Sequence, residues 1–405
     1  MTTRRAVTFV VQRYGHEVAG GAESLARQLA QQLASRGHRV RAITSCALDY
    51  QTWEDHFPPG VSEQDGVEVE RLSVARPRDP ERFGALSARV FGTRAAAPLV
   101  EQAWMVEQGP MPAAFPEAIV RAARQSDVMA FMTYLYPTSV FGLPAVAPIV
   151  PTVLHPTAHD EAPMRRPIIR QLFDHPDGLA FSTPEEEALV KRRFRPTADT
   201  GVIGIGFDPH PPAGRPERFR QRYGLGDDPY LLLLGRLDVN KAADEAIALV
   251  QGYRARHNTR LRLVLMGQPA MPVPEDPGLV VTGFVDDQTR WDALAGAVAL
   301  LQPSYQESFS MALAESWLAG RPGLVQRHCE VLAGLATRGR GALAYHGAAE
   351  FNASVDLLVD EGGLADALGR NGGEHVRTTY SWDAVMDAYE ALLERAIVAH
   401  APLRD

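Results

Sequence analysis

The pattern that most constrains this chain is an alternation of hydrophobic period that begins near the N-terminus and starts afresh after residue 229. Residues 6–11 are a short apolar run, residues 22–36 are helical in pattern, and residues 40–44 are strand-like again. Within the helical stretch Leu25, Ala26, Leu29, Ala30 and Leu33 recur at three- and four-residue spacing, and Gly37 stands where a left-handed helix end is expected. Strand, helix and strand in that order make a βαβ unit. Further strands are expected at 127–135, 152–156 and 178–182, with a helix at 185–194. Residues 195–229 hold six prolines, Pro196, Pro209, Pro211, Pro212, Pro216 and Pro229, and read as a linker with one short helix at 217–223. The alternation then restarts with strands at 230–234, 262–266, 279–282, 298–301 and 323–326. Helices are expected at 244–256, 288–296 and 312–319. Helical patterns dominate from there to Ala399, and Trp382, Val385, Met386, Tyr389, Leu392 and Leu393 mark one face of the last helix. The expected architecture is α/β in two halves, with no repeat of 20–50 residues.

Length and composition agree with two independently packed halves. A chain of 405 residues with 45% hydrophobic and 22% charged residues has ample material for more than one core and is neither disordered nor collagen-like. The net charge of −8 opposes a phosphate backbone, so nucleic acid is not an expected partner. Cys46 and Cys329 lie far apart and show no metal-ligand spacing, which fits a reducing compartment. The N-terminal residues run straight into the first strand without a signal-peptide core, so the expected location is cytoplasmic. Residues 128–156 contain no Asp, Glu, Lys or Arg, but five prolines break the stretch into pieces too short to span a bilayer. It is expected to form buried strand, loop and strand.

In open α/β sheets ligands bind at loops leaving the C-terminal ends of strands, and three such loops carry unusual chemistry. The first is Tyr14-Gly15-His16-Glu17-Val18-Ala19-Gly20-Gly21-Ala22-Glu23. Its paired glycines allow close backbone approach, and the helix start offers unpaired N–H groups to an anion. A tight turn is the alternative reading. The second, Gly235-Arg236-Leu237-Asp238-Val239-Asn240-Lys241, presents two cations five residues apart. Only Lys191 and Lys241 among the 41 basic residues are lysines, so a compact ammonium is singled out at 241. The third, Pro303-Ser304-Tyr305-Gln306-Glu307-Ser308-Phe309-Ser310-Met311-Ala312-Leu313-Ala314-Glu315, places Glu307 before a helix and Glu315 inside it. Backbone N–H groups at Ser310, Met311 and Ala312 suit phosphate, and carboxylates accept hydrogen bonds from sugar hydroxyls.

Taken in order, Gly20-Gly21-Ala22-Glu23, Gly235-Arg236-Leu237 with Lys241, and Glu307 with Glu315 resemble glycosyltransferase family 4. Its members are retaining, nucleotide-sugar-dependent enzymes of the GT-B fold, two Rossmann-like domains facing a cleft. The resemblance spans nearly the whole chain and extends to Gly267, the Gly283-Phe284-Val285 turn, Pro303-Ser304, Ala319-Gly320-Arg321-Pro322 and Ser381-Trp382. It implies an acceptor domain at 1–200, a donor domain at 201–380, and a helix at 381–405 that crosses back to the first domain. Arg236 and Lys241 would hold the donor diphosphate, Glu307 the transferred sugar, and Glu315 the ribose hydroxyls. Gly20, Gly21, Phe284, Val285, Ser308, Phe309, Ser310, Met311 and Ala312 would complete the donor site. Thr157-Ala158-His159-Asp160-Glu161 resembles the family's His-Asp segment, which makes His159 the candidate catalytic contact, with His155 as its rival.

The donor is then a nucleotide-diphosphate-sugar serving as co-substrate, no cofactor is implied, and the acceptor is a hydroxyl-bearing glycan, lipid or small molecule. No Asp-x-Asp motif or His/Cys cluster implies a metal. Ala242 and Ser310 stand where the family usually has glycine, and both are expected to reshape the donor-sugar pocket. Tyr50, Trp53, Phe57, Trp104 and Met105 lie in an irregular segment, 46–116, and are read as an acceptor platform, with core packing as the alternative. Arg165-Arg166 and Lys191-Arg192-Arg193 are read as solvated faces, with peripheral membrane contact as the alternative. A sugar-nucleotide epimerase of the same fold and a catalytically silent sugar-binding homologue are the competing functions.

Overall fold

The computed structural model describes residues 3–18, 20–93, 96–360 and 362–400. The chain divides into two compact units, one of residues up to Gly204 together with those from Val385 onward, the other from Ile205 to Ala384.

The first unit is built on eight strands: β1 (Ala6–Val10), β2 (Arg39–Ser45), β3 (Gly60–Gln64), β4 (Val67–Leu72), β5 (Val128–Met132), β6 (Thr152–His155), β7 (Gly178–Phe181) and β8 (Asp199–Val202). Their order is β3-β4-β2-β1-β5-β6-β7-β8, and every pair is parallel except β3 with β4. Central strands are covered on both faces, which is why β5 is apolar and buried at every position. Val10, Ile43, Phe131, Leu154 and Leu179 join one core with residues of the helices Pro98–Gln108 and Phe115–Ala123.

The helix Trp382–Ala399 supplies its apolar residues to this same unit. Val385, Met386, Tyr389, Leu392 and Leu393 are buried, as their spacing predicts. The Tyr389 ring lies 6.5 Å from Phe9, and its hydroxyl is 2.9 Å from His155 Nε2. Arg5 grips Glu394 with two hydrogen bonds of 2.8 and 2.6 Å, so the first strand and the last helix are tied at their polar ends as well.

The second unit holds β9 (Tyr230–Leu234), β10 (Arg262–Met266), β11 (Leu279–Gly283), β12 (Ala299–Gln302), β13 (Gly323–Gln326) and β14 (Ala342–Tyr345). They form one parallel sheet in the order β11-β10-β9-β12-β13-β14. Its core gathers Leu231, Leu233, Leu263, Leu265, Leu301 and Leu324 with the helix Ala243–His257.

Four sequence expectations are corrected. The 195–229 stretch is not all linker, since β8 lies inside it and pairs with β7. β14 interrupts the helical region after residue 330, where a strand of four residues gives little periodic signal. The charge-free 128–156 stretch adds two short helices, Pro137–Val140 and Gly142–Val146, between its strands. The 46–116 segment is ordered into β3, β4 and the helices Pro80–Phe91 and Pro98–Gln108, with Asp65 and Gly66 both at positive φ in the turn between the strands. Trp53, Trp104 and Met105 are buried there, so packing rather than an open platform accounts for them, while Tyr50 and Phe57 are partly exposed. Among the described residues no helix is long and apolar enough to cross a membrane.

The last helix sets a test of the first unit. Leu392 is fully buried against it, so Leu392→Ala is expected to destabilise the protein by about 2–5 kcal/mol in urea unfolding followed by circular dichroism. A loss below about 0.5 kcal/mol, the level of a neutral surface change, would show that the helix does not pack there.

Candidate functional site

In the second sheet the strand order reverses between β9 and β12, with β10 and β11 on one side and β13 and β14 on the other. Such a reversal sends neighbouring loops apart and opens a crevice at the C-terminal strand ends. The loop 235–241 leaves β9 and the loop 303–310 leaves β12, so two of the three loops singled out in the sequence flank this point.

Backbone contacts hold the first of them. Gly267 has φ +147°, and a Cβ on it would lie 1.8 Å from the Gly235 carbonyl oxygen, so only glycine permits the approach. Gly235 N–H donates to Met266 O at 3.0 Å, and Ala270 N–H to Leu237 O at 2.9 Å. Arg236 therefore projects from a fixed base. Its guanidinium is half exposed, with Nη1 3.5 Å from Asp238 Oδ2. The other Asp238 oxygen accepts from Lys241 N–H at 2.9 Å and closes the short turn Val239–Lys241.

The two loops meet through charge. Lys241 Nζ lies 2.6 Å from Glu307 Oε1, which also accepts from Gln302 Nε2 at 2.8 Å. Glu307 Oε2 has no hydrogen-bond partner among the described residues, leaving one carboxylate oxygen for a ligand hydroxyl. Gln302, the polar last residue of an otherwise apolar strand, is a site residue that the motifs do not mark; its terminal position on β12 was the available signal.

Ala242 and Ser310, which stand where glycine was expected, both lie at positive φ. Ala242 has φ +52° and Ser310 φ +128°, so both keep the conformation that glycine favours and bear the steric cost of a side chain there. Ser310 offsets part of that cost as the N-cap of the helix Met311–Leu318, its hydroxyl accepting from Leu313 N–H at 3.4 Å. Met311 and Ala312 open this helix, partly exposed, and helix geometry leaves their N–H groups without intrahelical partners. Ser308 is partly exposed just before them. Phe309 contributes only backbone, because its ring is buried between Phe207 at 6.0 Å and Tyr380 at 5.0 Å.

Glu315, in the same helix, is buried, and its Oε1 lies 3.0 Å from Arg290 Nη1. Burial pushes its carboxyl pKa up, Arg290 opposes this, and Asp287 adds to it. Arg290 belongs to the helix Asp287–Gly296, which follows the loop bearing Phe284 and Val285. Phe284 is 72% exposed, an unusual state for a large apolar ring, and Val285 is partly exposed.

The first unit has its own reversal, between β1 and β5. Gly20 caps the helix Gly21–Ser35, and a Cβ on it would lie 2.2 Å from Glu23 Oε2. Glu23 is held by buried Arg13, whose Nε donates to Oε1 at 2.9 Å while Nη1 reaches Leu48 O at 2.8 Å. The glycine at 20 is thus dictated by this ion pair, whereas a Cβ on Gly21 would meet no heavy atom within 4 Å and would face open space. Arg13 was missed because a lone arginine after a strand carries no sequence signature.

Burial distinguishes the two histidines. His155 is buried on β6 beside Tyr389, and burial lowers its pKa to about 3, so it packs as a neutral ring. His159 is partly exposed in the following loop, with Nδ1 3.2 Å from Glu161 Oε1. Burial pushes the Glu161 pKa up, but bonds from His159 and the Tyr134 hydroxyl hold it below the usual carboxylate range. Glu186, buried at the start of the helix Pro184–Phe194, accepts from Ala158 N–H and Ser182 N–H, each at 2.7 Å, and burial raises its pKa to about 7. Thr133 and Thr157, directly after β5 and β6, stand at φ +62° and +48°, a costly backbone for β-branched residues. The structure therefore holds His159 on a strained, internally bonded loop.

With this geometry in view, residues 20–206 match the family described as Glycosyl transferase 4-like domain, and residues 228–361 match Glycosyl transferases group 1. The chain is 26% identical to D-inositol 3-phosphate glycosyltransferase of Streptomyces avermitilis over 57% of its length and 54% of the relative's. It is 28% identical to D-inositol 3-phosphate glycosyltransferase 2 of Catenulispora acidiphila over 56% of its length and 58% of the relative's. The chain spans about half the length of the curated relatives it matches. The sucrose-phosphate synthase from Thermosynechococcus elongatus superposes with a TM-score of 0.71 at 16% identity, covering 98% of this chain and 100% of that one. Anabaena HepE in complex with UDP and glucose gives 0.68 at 14% identity, covering 96% and 100%. Two parallel α/β units in this arrangement of strands define the GT-B fold. The chain belongs to the glycosyltransferases of that fold, with a 4-like domain followed by a group 1 domain.

The strained Ala242 provides a test of the site's backbone. Ala242→Gly is expected to stabilise the protein by about 0.5–1 kcal/mol in urea unfolding, because relief of the left-handed strain outweighs the added freedom of the unfolded chain. A destabilised variant would show that residue 242 does not hold this conformation.

Proposed function

We propose that this protein transfers a sugar from a nucleotide-diphosphate-sugar to a hydroxyl acceptor with retention of configuration. The observation that carries the reading is the Lys241–Glu307 pair at the strand reversal of the second unit, with the half-exposed Arg236 on the same loop as Lys241. Two cations there supply the charge a diphosphate leaving group needs, so the proposed reaction is independent of a metal ion. The neighbouring HepE complex with UDP and glucose supports a nucleotide-sugar as donor. The relatives named for D-inositol 3-phosphate support a polyol acceptor. The donor is assigned to the second unit and the acceptor to the first.

In the proposed reaction the bond between the anomeric carbon and the diphosphate oxygen breaks, and Arg236 and Lys241 stabilise the charge that develops on phosphate. The acceptor hydroxyl attacks from the face the diphosphate leaves, its oxygen bonds to the anomeric carbon, and its proton passes to the departing phosphate. No side-chain base is then required. Glu307, through its unpartnered oxygen, and His159 are assigned to the transferred sugar, where they stabilise an oxocarbenium-like transition state. Glu315 is assigned to the ribose, and Phe284, Val285, Ser308, Met311 and Ala312 to the remainder of the donor. Gly20 and Gly21 are assigned to the loop of the first unit that serves the donor phosphates.

Titration with UDP is expected to show Glu315→Ala binding about tenfold to a hundredfold more weakly than wild type, the usual loss for a charge-assisted hydrogen bond. Unchanged affinity would remove Glu315 from the site. With UDP-glucose and a suitable acceptor, Arg236→Ala or Lys241→Ala is expected to lower turnover by on the order of 10²–10³. NMR of the product should show an α-linkage from an α-linked donor. A β-linkage would overturn retention, UDP binding without turnover would favour a silent sugar-binding protein, and epimerised free donor would favour an epimerase.

A further inference from the structure

A cavity of about 290 Å³ lies wholly within the first unit, lined in part by Trp53, Arg76, Arg78, Val106, Glu107 and Met111. Trp53 lies in the segment after β2, and Arg76 and Arg78 in the segment after β4, both at the C-terminal edge where a parallel sheet presents ligand-binding loops. Trp53 also makes an edge contact of 5.6 Å with Tyr136, in the loop after β5, so the cavity adjoins the strand reversal of this unit.

Its charge is unbalanced. Glu107 is buried and committed: it accepts from Arg76 Nη2 at 2.7 Å and Asp79 N–H at 3.2 Å, and Arg82 Nε lies 3.0 Å from its Oε2 as an ion pair. Asp79 Oδ1 caps the next helix, accepting from the N–H groups of Glu81 and Arg82 at 3.0 and 3.1 Å. Arg78 has no carboxylate partner among the described residues. Its guanidinium is held by aromatic rings, 4.6 Å from the Phe83 centroid and 5.4 Å from that of Trp53, and its Nη2 donates to the Gln108 carbonyl. Nη1 and Nε have no hydrogen-bond acceptor among the described residues. A planar cation fixed by aromatic contacts, with donors to spare beside an apolar wall, is built for a planar or tetrahedral anion.

We infer that this cavity binds the acceptor through an anionic group, a phosphate or a carboxylate, received by Arg78 with Arg76 beside it. The inference rests on the glycosyltransferase reading for the word acceptor, but the binding site itself does not. An anion here meets Nη1 of Arg78, while the partly exposed Val106 and Met111 supply the apolar wall along which the attached ring lies. A neutral sugar gains the wall but leaves the guanidinium unpaired, so the site discriminates by charge.

The test is calorimetric titration of the full chain with glucose 6-phosphate, glucuronate, glucose and, separately, inorganic phosphate and UDP. The wild-type protein is expected to bind glucose 6-phosphate or glucuronate at least about tenfold more tightly than glucose, the discrimination a charge-assisted hydrogen bond supplies. The preferred member of the pair identifies phosphate or carboxylate as the group. Arg78→Met, which keeps the apolar stem against Phe83 and Trp53, is expected to lose this preference while binding UDP as wild type does. Equal affinity for charged and neutral sugars, or an Arg78→Met protein that retains both UDP binding and the preference, overturns the inference. The wild-type comparison is made with UDP saturating, so that Arg236 and Lys241 are occupied and the preference reads this cavity even if the variant fails to fold. Loss of UDP binding in the wild type with the anionic preference intact would defeat the donor reading and leave this site standing.

Discussion

A parallel sheet cannot be closed by tight hairpins, and this constraint organises the rest of the protein. Each parallel neighbour must be reached by a crossover, so helices cover both faces and the connecting loops gather at the two edges. Because strand order reverses once in each sheet, between β1 and β5 and between β9 and β12, the central loops diverge and leave their ends unfilled. Arg13, Arg236, Lys241, Glu307 and His159 all lie in loops at these C-terminal edges, although they are spread over nearly three hundred residues of sequence.

Their electrostatic surroundings show a consistent arrangement. Arg13 with Glu23 and Arg290 with Glu315 are ion pairs with at least one buried partner, Lys241 with Glu307 is partly buried, and burying such pairs gains little stability over well-packed apolar residues. What each pair does is keep a charged group in place where an unpaired one would be expelled to water or neutralised. Glu307 retains one oxygen beyond its pairing, and that remainder is what a substrate can use. Arg78 reaches the same end differently, with aromatic rings in place of a carboxylate.

Strain accompanies this chemistry. Ala242 and Ser310 border the paired loops of the second unit, and in the first Thr157 lies two residues before His159 while Thr133 follows β5, all at positive φ. Such conformations persist only where surrounding bonds determine them, and here they include the Ser310 cap, the turn closed by Asp238 and the carboxylate of Glu186.

The sequence by itself determined the two α/β halves, the apolar face of the last helix through Val385, Met386, Tyr389, Leu392 and Leu393, and the three loops worth attention. Periodicity and strand–loop–helix order are local properties, and a single chain displays them. Tertiary structure alone decided that β8 completes the first sheet, that Trp53 and Trp104 are core while Arg78 is left with spare donors, and that Glu307 is shared by Lys241 and Gln302. It also separated His155 from His159 and showed that Ala242 and Ser310 keep a glycine-like backbone. These outcomes depend on which distant residues meet and which side chains lose water. A residue's type fixes what it can donate or accept, but only packing fixes whether a partner is there to take it.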